Sequence, residues 1–384
     1  MKYQNINFVL RHRIAVKITF FVNGFILANW VARLPRIQEL YGADNGDIGL
    51  VLFSLSIGAV AAMPFAGWVI IKNGSRSISL LTAILYSAVV PLIPLMPNFA
   101  ALVALYFCIG VITGMYDVAI NAQAVMVERE YKRPIMTSFH AFFSLGMMLG
   151  AWSAALFTDI RVDLESHFLI VAGVSLAAVA WASRNLIHDK PDPGAHTDGP
   201  LFRLPNASLI SVGVIAFCCM MGEGAMSEWT VNFMENIARS TKALAPIALS
   251  AFATAMTLGR FFGDGARATF GDRTMIILGG ILAFAGLSLA LVIPLPYVSI
   301  AGFFLVGLGL STIVPIAYSI AGNTRELPSS VALAMVTTVG YSGFLIGPPV
   351  IGFIADAHTL RVALTVVAAL FIVMTVLGIR YKSK

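Results

Sequence analysis

Residues 114–130 read GMYDVAINAQAVMVERE. They set one carboxylate, Asp117, and two amides, Asn121 and Gln123, into a run that is otherwise apolar until Glu128, Arg129 and Glu130. Residues 99–113, just before, carry no charge. A charged side chain at the centre of a membrane span costs about 2.5–3.5 kcal/mol on insertion scales, so such residues face a bundle interior or a wet cavity. Burial and nearby charge decide whether a carboxylate there holds its proton. Helical spacing puts Asp117 and Asn121 on one face, with Gly110 and Gly114 in the turns before them, where a partner helix or a ligand can come close. Asp117 is expected to carry a proton or anchor a solute. The plainer reading is a hydrogen bond to a neighbouring helix.

Other polar groups fall in comparable places. His140 lies about as far after Tyr131 as Asn121 lies before it, so a helical hairpin turning near Tyr131 brings the two to similar depth. An Asp117–His140 proton relay is one expectation, and a packing histidine is the other. Glu223 and Glu228 share a segment that continues into Trp229. Five residues apart, they point about 140° away from each other on a helix. Glu223 is expected to couple protons, with Gly222 and Gly224 loosening the helix beside it. Glu228 and Trp229 are expected against the solute, although Trp is also at home at membrane interfaces. In the first segment Asn29 and Trp30 are solute candidates, and Arg33 is an outer gate charge or an interfacial anchor. Asn121, Gln123 and Tyr341 complete the expected solute contacts, with Tyr318 and Asn323 as further polar positions. Arg260 and Asp264 are read as gating charges.

The elements that must position these groups follow from composition. Of 384 residues 58% are hydrophobic and only 11% charged, and the mean hydropathy is +0.86. A soluble domain carries about 25% charged residues, so this chain uses lipid as a solvent. A spanning helix needs about 20 mostly apolar residues. Such stretches lie near 14–34, 47–71, 77–97, 99–128, 134–158 and 166–186, then near 207–235, 243–268, 273–293, 297–323, 328–355 and 360–380. Between the two sets runs IHDKPDPGAHTDGPLFRLPN, the long hydrophilic stretch 187–206. The fold class expected is therefore an all-α membrane protein: a six-helix bundle over 1–186, a cytoplasmic linker over 187–206, a second bundle over 207–384, and a solute cavity between the halves. The runs are continuous, which excludes the period-two alternation of a β-barrel.

Charge orients the chain. Of the 25 Lys and Arg, all but Arg33, Arg36, Arg161, Arg239, Lys242 and Arg361 fall on one side of this layout. By the positive-inside rule that side, with both termini, is cytoplasmic. The net charge of +6 thus reports topology and not a nucleic-acid partner. Arg11 and Arg13 precede a first apolar run that carries Asn23, Asn29 and Arg33 without a small-residue cleavage site, so it reads as a retained helix. Cys108, Cys218 and Cys219 sit within apolar segments and imply no disulfide framework.

The halves echo one another. Gly67, Lys72, Gly74 and Arg76 follow the second segment, and Gly259, Arg260, Gly263, Asp264, Arg267, Gly271 and Arg273 follow the eighth. Gly146, Gly150 and Ala154 stand in the fifth segment, and Gly340, Gly343, Gly347 and Gly352 in the eleventh. Small residues four apart let helix backbones approach closely, and repeated halves are how secondary transporters are built.

Over its whole length the chain resembles the major facilitator superfamily. Gly67, Lys72, Gly74 and Arg76 fit that superfamily's G-x3-D-R/K-x-G-x-R-R/K loop, with Ile71 where the acid belongs. Asp264 supplies the acid in the second half. Three stretches are similar to the rhizopine-permease-like branch, related to fucose permeases: Trp30-Val-Ala-Arg33-Leu-Pro35, the segment Asp117 to Gln123 leading to Glu128-Arg129, His140 and Gly146, and Glu223-Gly-Ala-Met-Ser-Glu228-Trp229. The resemblance implies alternating-access symport of a small polar solute, sugar- or inositol-like, with protons. It places a monomeric protein in a bacterial inner membrane.

The alternative is a proton-coupled exporter of drugs or toxic metabolites, which the 26 Phe and 16 Met would suit. The missing proline around Gly146 weighs against it. Enzyme chemistry is not expected: the six histidines form no ligand cluster of zinc spacing. Neither a phosphate-cradling loop nor a nucleophile elbow is present. No cofactor is implied.

Overall fold

The structure, a computed structural model, describes residues 2–131, 135–189, 207–322, 324 and 329–381, with a few helical side chains left aside. Asn323, the Asp264 side chain and residues 190–206 of the expected linker lie outside the described residues. The chain divides into two compact units, Met1–Gly42 with Ser54–Asp198 and Ala43–Phe53 with Gly199–Lys384. The first carries α1 (Lys2–Val31), α2 (Leu34–Tyr41), most of α3 (Asn45–Asn73), α4 (Ser75–Val89), α5 (Phe99–Tyr131), α6 (Met136–Asp159) and α7 (Leu164–Ser183). The second carries α8 (Ala207–Asn236), α9 (Ala245–Val292), α10 (Pro296–Leu310), α11 (Ile313–Gly322), α12 (Ser329–Ala357) and α13 (Leu360–Arg380).

Among the described residues 12 helical stretches are long and apolar enough to cross a bilayer. They match the twelve expected from the apolar runs, with local differences that have chemical causes. The third stretch ends in a 3-10 turn, Val90–Leu95, where Pro91 and Pro94 remove backbone donors. The tenth breaks between α10 and α11, because Pro315 takes away the N–H that the Ser311 carbonyl would otherwise accept from. The eighth and ninth, both within α9, are divided by a bend at Gly271, where the backbone leaves the helix with a φ of 75° that glycine adopts at little cost. Arg267 spans that bend, donating from Nε to Asp272 Oδ1 at 2.5 Å and from NH2 to Ser319 Oγ at 2.8 Å.

Close helix crossings are built on glycine. A Cβ at Gly24 of α1 would strike the Phe143 carbonyl of α6, and one at Gly146 of α6 would strike the Phe21 carbonyl of α1. Gly150 continues the seam, 2.7 Å from the Phe25 oxygen by the same construction. Gly110 and Gly114 of α5 meet the backbone of α3 at Leu55 and Ala59 and so serve a partner helix, the first of the two uses expected of them. In the second unit Gly343 of α12 lies 2.7 Å by that measure from the Phe217 oxygen of α8. Lipid tails are as apolar as the helices, so apolar burial gives helix association little drive and close van der Waals contact replaces it.

Gly146→Leu is expected to force α1 and α6 apart. Overpacking of this kind typically costs about 1–3 kcal/mol, and here a rigid backbone carbonyl is in the way. The melting temperature of the detergent-solubilised protein should fall well below that of Gly173→Leu, because a Cβ at Gly173 meets nothing within 4 Å.

Candidate functional site

In the first unit Asp117 is half-buried on α5. Its Oδ1 accepts a hydrogen bond from Asn23 Nδ2 of α1 at 3.0 Å. Asn121 turns back on its own helix, donating from Nδ2 to the Asp117 carbonyl at 2.8 Å. His140 sets its ring edge-on to Phe20, centroids 5.2 Å apart. The side-chain partner of Asp117 is Asn23. Asn23 was marked only as a polar residue in the first run. A carboxylate that accepts one amide N–H keeps acceptor capacity on its other oxygen for a proton or a solute hydroxyl.

The C-terminal end of α1 engages several of the expected residues. Asn29 and Arg33, one turn apart, face α6 and α7 and are buried. Asn29 Oδ1 accepts from His167 Nε2 at 2.8 Å and from Ser153 Oγ at 3.0 Å, while Nδ2 donates to the Phe25 carbonyl at 2.8 Å. Arg33 donates from Nε to His167 Nδ1 at 3.0 Å, from NH1 to Thr158 Oγ1 at 2.7 Å and from NH2 to the Val162 carbonyl at 2.7 Å. Because Nδ1 accepts from a guanidinium, which has no acceptor, the ring proton sits on Nε2. Asn29 is therefore spent on packing and not on solute. Arg33 is held by neutral acceptors and not by an acid across a gate. Burial, and next the neighbouring Arg36, lower the Arg33 pKa to about 10, with Asp163 opposing them, so it remains a cation. Trp30 is also interior: its Nε1 donates to Tyr86 Oη at 2.9 Å and its ring stands edge-on to Tyr106. His167 had escaped the sequence reading because nothing local marks it.

In the second unit Glu223 Oε1 accepts from Arg260 NH2 of α9 at 3.0 Å, with both side chains largely buried. The glycines beside Glu223 do not loosen the helix. They seat aromatic rings, Phe371 of α13 against Gly222 and Phe344 of α12 against Gly224. Tyr341 lies 6.0 Å from the Phe344 ring, centroid to centroid. Glu228 is half-buried with its Oε2 inside and unpartnered among the described residues. Trp229 is fully buried, and its Nε1 likewise has no partner there.

The Major Facilitator Superfamily model matches residues 17–263 and 212–383. The chain belongs to the Major Facilitator Superfamily. An uncharacterized MFS-type transporter of Yersinia pestis is 33% identical over 94% of this chain and 94% of its own. The membrane protein MosC of Rhizobium meliloti is 32% identical over 94% of this chain and 88% of its own. Among solved structures, a point variant of the nucleoside transporter NupG superposes with a TM-score of 0.77 at 13% identity, covering 96% of this chain and 99% of that one. A bacterial homologue of the lysosomal transporter Spinster, inward-facing and unoccupied, gives 0.71 at 14% identity, covering 97% and 96%. The protein is a multi-pass membrane transporter of the superfamily fold and not an enzyme.

Its departure from the superfamily loop, Ile71 in place of an acid, is answered from elsewhere in the chain. Asp189, just after α7, accepts the backbone N–H of Ser75 and, at 3.1 Å, that of Arg76, so it caps α4. Gly74, at φ 80°, makes the turn into that cap. Arg76 NH2 donates to the Ser183 carbonyl at 2.8 Å. Gln123, expected at the solute, belongs to the same assembly. Its Nε2 donates to Ser75 Oγ at 2.8 Å and to the Ile187 carbonyl at 3.0 Å, and its Oε1 accepts the Ile187 N–H at 2.9 Å. Both N–H groups of this buried amide are thereby engaged within the protein. Glu128 does similar work, capping α6 through the N–H groups of Ile135 and Met136 at 2.7 and 2.8 Å.

His167→Phe should leave Arg33 Nε and Asn29 Oδ1 each short of a partner. An unmade buried hydrogen bond costs about 1–3 kcal/mol, more at a charge. The expected result is a large drop in melting temperature, partly restored in His167→Gln, whose carbonyl can still accept from Arg33.

Proposed function

We propose that the protein is a proton-coupled symporter for a small hydroxyl-rich solute of the sugar or inositol class. It works as a monomer in a bacterial inner membrane, with both termini cytoplasmic. The observation that carries the coupling is Asp117: an acid in the middle of a span, steadied by one amide, with no cation paired to it among the described residues. The solute class is supported by the likeness of the Trp30–Pro35, Asp117–Gln123 and Glu223–Trp229 stretches to rhizopine-permease-like carriers. NupG, a nucleoside transporter, adds nucleosides to the solutes to test. The positive-inside distribution of Lys and Arg supports the orientation.

In this reading Asp117 takes a proton with the solute bound and gives it up on the inner side. Asn23 holds the carboxylate in place through both states, because an amide can donate to it ionised or protonated. Asn121, half-buried one turn along from Asp117, keeps its Oδ1 for a solute hydroxyl.

The purified protein in liposomes should accumulate labelled inositol, a hexose or a nucleoside when the outside is made acidic. Response to lipophilic cations alone would favour the exporter instead. Asp117→Asn should reduce gradient-driven accumulation to background while leaving solute exchange at equal pH largely intact, since the amide mimics the protonated acid. Loss of both modes together would make Asp117 a solute anchor.

A further inference from the structure

The two acids of α8 stand in opposite circumstances. Glu223 is the counter-ion of Arg260 at 3.0 Å. Phe371 packs at Gly222 and Phe344 at Gly224 on the same stretch of α8. A neutral side chain at 223 would leave the largely buried Arg260 guanidinium without this counter-ion. Removing one partner of a buried pair is strongly destabilising. Glu223 is therefore built to stay paired.

Glu228, about 140° further round the helix, has Oε2 buried and no hydrogen bond or ion pair among the described residues. Among the described residues no cation is paired with it. Arg260 of α9 is engaged with Glu223, and Arg239 and Lys242 follow α8 in the chain. α10 has no charged residue, α11 offers Tyr318, and α12 offers Tyr341 and, near its end, Asp356. α13 has Arg361 and Arg380 at its two ends. Along α8 itself the other titratable groups are Cys218, Cys219, Glu223 and Glu235. An isolated carboxylate ion removed from water is expensive, and such a group avoids the cost by taking a proton. Protonation here forms one O–H bond and neutralises the side chain with no partner to abandon. Release returns the proton to water once the half-open side of the residue is hydrated.

We propose that Glu228, and not Glu223, is the proton-exchanging acid of the second unit, while the Glu223–Arg260 pair is a fixed brace. The role expected for Glu223 thereby passes to Glu228, and Glu228 is withdrawn from solute contact. This rests on the proton-coupled reading above, but its test needs no solute.

Infrared spectra of the protein in lipid, titrated with pH, report the carbonyl stretch of each protonated carboxylic acid. In an Asp117→Asn background, which removes the first unit's acid from the spectrum, the protein should show such a band from a water-poor site that disappears as pH rises. Glu228→Gln should remove it, Glu228→Asp should keep it at a shifted frequency, and Glu223→Gln should leave it in place. A band that survives Glu228→Gln and vanishes in Glu223→Gln would overturn the proposal. So would a Glu228→Asp spectrum identical to that of the Asp117→Asn background, which also decides the matter should Glu228→Gln fail to fold. Failure of every solute in the uptake assay would sink the symport reading and leave this assignment standing or falling on the spectra alone.

Discussion

A lipid solvent offers no hydrogen-bond partners, so each polar group that enters the bilayer must find one inside the protein or be kept beside water. That constraint sorts the polar residues of this chain into two kinds. Asn29, Arg33, His167, Ser153 and Thr158 satisfy one another, and Gln123 divides its amide between Ser75 and Ile187. These are polar seams between helices. Asp117 and Glu228 are not used up in this way, and the transport reading is built on them.

The same constraint explains the glycines. With little hydrophobic drive between helices in lipid, α1 and α6, α3 and α5, and α8 and α12 come together where the absence of Cβ lets a carbonyl lie against a neighbouring backbone. At the α1–α6 seam, beside Gly150, close approach then lets Ser153 Oγ reach Asn29 Oδ1 at 3.0 Å. Small-residue packing and polar pairing act together there, because the short interaxial distance is what lets short polar side chains meet.

The units solve the charge problem differently. The first gives its central acid a neutral amide, while the second gives one acid an arginine and leaves the other alone. An amide tolerates both protonation states of a carboxyl, and a guanidinium favours only the ionised one. Asp189, 114 residues along the chain from Ser75, caps α4, since what a helix N-terminus needs is an acceptor at its free N–H groups.

Much of the architecture was legible in the sequence. The spans could be read because bilayer thickness demands a minimum apolar length, and the close crossings because small residues recur one turn apart. Asp117 was legible as important because a lone acid in an apolar run is costly. What each polar side chain bonds to was not legible. Asn29 and Trp30 looked like solute contacts, yet helix 1 turns them into the bundle. His167 and Asp189 had no local mark, and Glu223 and Glu228 looked alike until Arg260 was seen beside only one of them. Spacing along a helix gives direction around its own axis, whereas a hydrogen bond depends on which other helix lies there, and here the partners are separated by 37 to 138 residues. Composition and period determined that the chain crosses the membrane and where, and only the packing of the helices decided which polar groups are consumed by the fold and which are left to act.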